Sequence, residues 1–133
     1  MLSERVIGKK AWVTGAAHGI GRASAWALAE AGADVAISDI NEKGLEETAE
    51  YIRKLGRKAL VLPADITKEN EIEETINTIV DKWGKLDIAY CNAGTFQDIP
   101  AEDMPLEEFE RVIKVNLTGA FISSRAAGKA MIK

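Results

Sequence analysis

One stretch near the N-terminus limits the choice of fold more than any other: Thr14-Gly15-Ala16-Ala17-His18-Gly19-Ile20-Gly21. It follows an apolar run, Lys10-Ala11-Trp12-Val13-Thr14, that reads as a strand, and it opens a small-residue segment over 20–31 that reads as a helix. Glycines in a Gly-x-x-x-Gly-x-Gly spacing at a strand-to-helix turn suit a dinucleotide. One permits the sharp turn, another removes a Cβ where backbone meets pyrophosphate, and a third lets helix and strand approach closely. The helix start adds unpaired N–H groups and a partial positive charge facing the anion. Thr14, Gly15, His18, Gly19, Ile20 and Gly21 are therefore candidate cofactor-binding residues. At His18 the backbone N–H should matter more than the ring.

The same alternation continues to the end of the chain. Strands are expected at 34–39, 58–62 and 86–91. The segment 41–55 carries Leu45, Ala49, Ile52 and Leu55 at helical spacing, with Asn41 to cap its start and Gly56 its end. A third helix, capped by Thr67, presents Ile72, Ile76, Ile79, Val80 and Trp83 before Gly84. A fourth begins at Pro105 and keeps Leu106, Phe109, Val112, Ile113, Leu117, Ala120 and Phe121 on one face. The order is βαβαβαβα. Strands this apolar are buried on both faces, and helical crossovers imply parallel pairing. The fold class is α/β: a doubly wound parallel sheet of the Rossmann type, spanning residues 1–133 as one dinucleotide-binding domain.

Asp39 stands at the end of the second strand, 18 residues after Gly21. A carboxylate about 20 residues past the glycine turn accepts hydrogen bonds from the adenosine ribose hydroxyls. It would repel a 2′-phosphate. No arginine lies at positions 16–18, and Ile40 rather than Arg follows Asp39, so the cofactor expected is NAD rather than NADP. The net charge of −4 argues against nucleic acid and anionic membranes as partners. No apolar run reaches the roughly 20 residues that span a bilayer, and Met1-Leu2-Ser3-Glu4-Arg5 lacks a signal core. The only cysteine, Cys91, and the only histidine, His18, cannot make a disulfide framework or a His/Cys metal site, so no metal is expected. These features fit a cytoplasmic protein.

Taken with three further motifs, the turn resembles the cofactor motif of the short-chain dehydrogenase/reductase family, in the spacing of its compact subgroup. Asp65-Ile66 resembles the pair that contacts adenine, Asn92-Ala93-Gly94 the family's Asn-Ala-Gly motif, and Asn116 its helix asparagine. The resemblance implies that Asp65 accepts from the adenine amino group, that Asn92, Ala93 and Gly94 border the nicotinamide ribose, and that Asn116 serves catalysis through a water on its backbone carbonyl. It implies hydride transfer between nicotinamide and a secondary alcohol or ketone. The segment 94–105 loosely resembles polyol and sugar dehydrogenases.

The family's Ser and Tyr-x-x-x-Lys have no counterpart in this sequence: four residues past Tyr51 is Leu55, and four past Tyr90 is Gly94. The chain is therefore expected to be the cofactor-binding part of a longer enzyme, truncated after the fourth strand and its helix and inactive alone. The alternative is a non-catalytic NAD-binding or regulatory module complete as it stands. An S-adenosylmethionine methyltransferase would share the acid after the second strand but would not supply Asn92-Ala93-Gly94. The resemblance also implies a homo-oligomer, and a fourth strand left unpaired on its outer edge would favour association.

Overall fold

The computed structural model describes residues 5–133. The N-terminal stretch read for a signal core lies outside them, apart from Arg5. Strands β1 (Lys10–Thr14), β2 (Asp34–Ser38), β3 (Ala59–Val61) and β4 (Ile88–Tyr90) form one parallel sheet in the order β3-β2-β1-β4. The register sets Ala11, Val13 and Thr14 of β1 opposite Val35, Ile37 and Ser38 of β2, and Trp12 opposite Ala89 of β4. The fold is the doubly wound α/β arrangement. The chain runs outward from β1 to β3, then returns past β1 to β4, so the strand order reverses between β1 and β4. Ligands of open α/β sheets bind at that switch point, beyond the carboxyl ends of the strands.

Helices cover both faces. Helix α1 (Gly19–Glu30) buries only small residues, Gly21, Ala25 and Ala29, at a four-residue spacing, so it lies close on β1. Helix α2 (Glu42–Lys54) buries Gly44, Leu45, Thr48, Ala49 and Ile52. With Val13, Val35 and Ile37 these residues form one core layer. Helix α3 (Glu69–Trp83) buries Ile72, Ile76 and Ile79, which meet Trp12 and Ala36 on the opposite sheet face. The alternation of strand side chains thus sends Val13 one way and Trp12 the other. The Trp12 indole donates to the Ser38 hydroxyl at 2.9 Å, which satisfies both buried polar groups.

Several boundaries differ from those expected. Asn41 does cap α2, accepting from the Gly44 N–H at 3.0 Å. Thr67 does not cap α3: the capping position is Lys68, and the Thr67 N–H and hydroxyl both donate to Asp65 instead, at 2.9 and 2.7 Å. Pro105 stands just before its helix rather than in it, with extended backbone. That helix is not continuous. Helix α4 (Leu106–Ile113) passes through a π-helical segment (Lys114–Gly119) into α5 (Ala120–Met131). Its large apolar face is not buried: Leu106 is 70% exposed, Leu117 65% and Phe121 58%. Gly119, Ile122, Ser123 and Ala127 face the core in its place. Among the described residues no helix is long and apolar enough to cross a membrane.

Candidate functional site

A cleft of about 840 Å³ opens over the carboxyl ends of β1, β2 and β4. That is within the size range of small-molecule and cofactor sites. Gly15, His18, Ile20, Asp39, Asp65, Ile66, Asn92, Ala93, Gly94 and Asn116 all line it. Residues drawn from five separate segments of the sequence are thereby brought together. Three candidates do not line the cleft: Thr14 and Gly21 are buried beneath it, and Gly19 is exposed beside it, between His18 and Ile20, which do line it.

The three glycines do different things. Gly15, at φ +67°, makes the turn that leaves β1. A Cβ there would stand 2.8 Å from the Ala93 Cα, so the turn and the loop after β4 touch backbone to backbone. A Cβ on Gly21 would stand 2.1 Å from the Gly15 carbonyl oxygen and 2.6 Å from the Asn92 amide. Gly21 is thus what allows α1 to start this close to the turn. Gly19 is the contrast. Its φ is +57°, yet nothing lies within 4 Å of where its Cβ would be. A glycine with open space above it, at a helix start, is where a ligand's atoms can meet backbone directly.

The helix start is otherwise uncapped. His18 occupies the capping position in extended conformation and its side chain makes no capping bond. The first helical bond is donated by Arg22 N–H to the His18 carbonyl, so the N–H groups of Gly19, Ile20 and Gly21 precede the helix's own pairing. Such a row attracts an anion through aligned dipoles. These residues fit a dinucleotide's pyrophosphate.

Asp39 sits at the cleft mouth just past β2. Its Oδ2 accepts from the Ala17 N–H at 3.2 Å and its Oδ1 from the Asn41 N–H at 3.0 Å. Two backbone donors hold the carboxylate in place, and each oxygen keeps acceptor capacity for further donors. Asp65 is half-buried. The Thr67 hydroxyl that donates to it, helped by the Thr67 N–H and the charges of Lys68 and Lys114, outweighs burial and holds its carboxyl below the usual value. On the far side, Asn92 Nδ2 donates to the Thr14 carbonyl at 3.3 Å, and the Ala93 N–H donates to the Thr14 hydroxyl at 3.0 Å. Thr14 therefore ties the ends of β1 and β4 together.

Asn116 lies within the π-helical segment. Its side chain closes a double hydrogen bond on Thr95, accepting from the N–H at 2.7 Å and donating to the carbonyl at 2.8 Å. It thereby pins the loop that begins at Gly94. Widened helical turns often mark functional positions, because they release a backbone carbonyl from the ladder.

Further contributors to the site were not read from the sequence. Arg22 of α1 donates to the Ala17 carbonyl, and Thr48 of α2 donates to the Ala16 carbonyl. The signal available was Thr48 itself, a polar residue within the apolar stripe of α2. Ile40 and Phe96, 79% and 80% exposed, put apolar surface on the cleft walls. Among the described residues no three His, Cys, Asp or Glu side chains gather as a metal-holding group.

Comparison with known proteins follows the same lines. The family model for short chain dehydrogenases matches residues 9–133. A short-chain dehydrogenase/reductase of Armillaria gallica is 42% identical over 127 residues, covering 94% of this chain and 49% of that protein. The sorbitol dehydrogenase of Cereibacter sphaeroides is 36% identical over 128 residues, covering 96% of this chain and 49% of that protein. Among solved structures, NAD+-bound xylitol dehydrogenase superposes with a TM-score of 0.94 at 36% identity, covering 97% of this chain and 50% of that one. The chain spans about half the length of the relatives it matches.

Proposed function

The chain belongs to the short-chain dehydrogenase family, and on that premise we propose that it is the cofactor-binding part of an NAD-dependent oxidoreductase acting on a secondary alcohol or ketone. The observation that carries the reading is the uncapped start of α1, with open space over Gly19 and with its neighbours His18 and Ile20 lining the same cleft as Asp39 and Asp65. The N–H groups from His18 to Gly21 hold the pyrophosphate. Asp39 accepts from the ribose hydroxyls and repels a 2′-phosphate, so NAD is preferred over NADP. Asp65 and the Ile66 backbone receive the adenine. Asn92, Ala93 and Gly94 border the nicotinamide ribose, and Thr14 supports them from below. The bound nicotinamide supplies the hydride acceptor or donor.

Asn116 holds the loop after Gly94 and, in the intact enzyme, a water on its backbone carbonyl. The chain has no Tyr-x-x-x-Lys, and loss of a general acid–base group costs roughly 10²–10⁴ in rate. By itself, then, it binds NAD and turns over little or no alcohol. The sorbitol and xylitol dehydrogenases among its relatives support a polyol or sugar alcohol as substrate. The exposed face of Leu106, Phe109, Leu117 and Phe121 fits a homo-oligomer, and the protein works in the cytoplasm.

The test is hydride transfer by the whole enzyme to which the chain belongs. Sorbitol, xylitol and simple secondary alcohols are offered with NAD, and reduced nicotinamide is followed by absorbance. Reduction of NAD by at least one polyol is expected. Activity with NADP alone, or with no alcohol or ketone, would overturn the reading.

A further inference from the structure

We propose that Arg22 is a positioning residue of the dinucleotide site: from beneath the cleft, its guanidinium and the Thr48 hydroxyl set the direction of the turn's N–H groups and of the Asp39 carboxylate. The inference rests on reading the turn as an NAD site.

Arg22 does not line the cleft. Its Nε donates to the Thr48 hydroxyl oxygen at 2.9 Å, and one terminal nitrogen reaches the Ala17 carbonyl at 2.5 Å, the Gly44 carbonyl at 3.0 Å and the Glu47 carboxylate at 3.1 Å. The Thr48 hydroxyl then has its one proton for the Ala16 carbonyl at 2.7 Å, the shorter of its two reachable acceptors, the Gly44 carbonyl lying at 3.1 Å. On the opposite side, the Ala16 N–H donates to the Ser38 carbonyl at 3.2 Å and the Ala17 N–H to Asp39. All four backbone polar groups of Ala16 and Ala17 are engaged.

Peptide planarity turns these anchors into a pointing device. In a trans peptide the C=O and the following N–H point in opposite directions. Thr48 pulls the Ala16 carbonyl toward α2, which turns the Ala17 N–H away, onto Asp39. Arg22 pulls the Ala17 carbonyl toward α2, which turns the His18 N–H away, toward the cleft. Close packing supports both: a Cβ on Gly44 would stand 2.8 Å from the Ala17 Cβ and from the Ala17 carbonyl oxygen. Arg22 thus orients a donor for the pyrophosphate, and Thr48 fixes the partner of the carboxylate that selects the cofactor, although neither touches the ligand.

The experiment compares NAD and NADP dissociation constants by calorimetry for the unaltered chain, Arg22→Ala, Arg22→Lys, Thr48→Val and Glu47→Gln, with a thermal melt of each. Arg22→Ala should weaken NAD by about tenfold, the worth of the one hydrogen bond to the anion that a misdirected His18 N–H no longer makes. Added guanidinium ion should restore part of that loss. Arg22→Lys, which can still reach one carbonyl, should fall between. Thr48→Val should narrow the preference for NAD over NADP several-fold. Glu47→Gln, on an exposed side chain, should stay within twofold. If Arg22→Ala does not fold, Arg22→Lys and Thr48→Val decide. Unchanged constants in both, with only a lower melting temperature, would mean that Arg22 merely staples α1 to α2, and the proposal falls. If the unaltered chain binds neither dinucleotide, the NAD reading itself fails and takes the proposal with it.

Discussion

Replacing Gly19 with alanine separates folding from binding at the start of α1. The structure gives the two costs independently. Gly19 has φ +57°, and a left-handed conformation costs an L-residue roughly 1–2 kcal/mol. Beyond its chain neighbours and its own helix backbone, no atom lies within 4 Å of the new methyl, so packing against the rest of the fold adds nothing. For a domain of this size, about 1 kcal/mol lowers the melting temperature by roughly 3–6 °C. The methyl would instead occupy the space proposed for pyrophosphate. Each charge-assisted hydrogen bond lost there is worth about 1.5–3 kcal/mol, so affinity should fall at least about tenfold. Gly84→Ala is the matched control. Gly84 has φ +79° and equally open surroundings, but it ends α3 away from the cleft. Thermal melts and NAD calorimetry on both variants check the reasoning. Both should lose similar stability, and only Gly19→Ala should lose affinity. A folded Gly19→Ala variant that binds NAD within twofold of the parent would refute the assignment of the turn.

Gly21→Ala should fail differently, losing about 3 kcal/mol or more of stability by chemical denaturation, because its methyl meets the Gly15 carbonyl and the Asn92 amide in the empty protein. Asp34, buried at the opposite end of the sheet, is raised by desolvation but lowered more by Lys10, the Lys58 N–H and Arg57, so it ends below the ordinary 3.8. A depressed carboxylate stabilises above its unfolded value and loses that contribution as pH falls through the folded one. Asp34→Asn should therefore cost about 2 kcal/mol near neutrality and flatten the pH dependence of stability below about pH 4, as read by urea unfolding. Asn116→Ala removes both bonds to Thr95, and faster amide exchange across the loop after Gly94 should report it, with little change in the sheet. Leu117→Lys with Phe121→Lys should shift the chain toward monomer in sedimentation; an unchanged distribution would rule out that face as the contact.

The sheet was legible because its strands are apolar runs bounded by turn residues, and because Gly, Asn and Pro punctuate the helices. The motifs proposed to hold the cofactor stand in the sequence as spacings, and the fold carries most of their residues to one cleft. What escaped the sequence has physical causes. The stripe from Leu106 to Phe121 has the periodicity of a buried face, but periodicity does not say which partner covers it; here the small residues Gly119, Ser123 and Ala127 face the core. A Cβ at Gly119 would lie 2.5 Å from the Ile66 Cδ1, so any larger residue would have to push that side chain aside. The π-helical segment leaves no mark in hydrophobic spacing. Thr67 is a good capping residue by type, yet it turns back on Asp65 two positions earlier and the helix starts one residue later, after Lys68. Arg22 reads as an ordinary helix surface charge until α2 is folded against it.

The central claim is that the glycine turn and Asp39 together make an NAD site. The measurement that tests it most directly is a parallel calorimetric titration of the chain with NAD and with NADP at one salt concentration. Saturable one-to-one binding of NAD is expected, with NADP at least about tenfold weaker, because a phosphate beside the Asp39 carboxylate meets like charge. Equal or tighter binding of NADP, or no saturable binding of NAD, would contradict it.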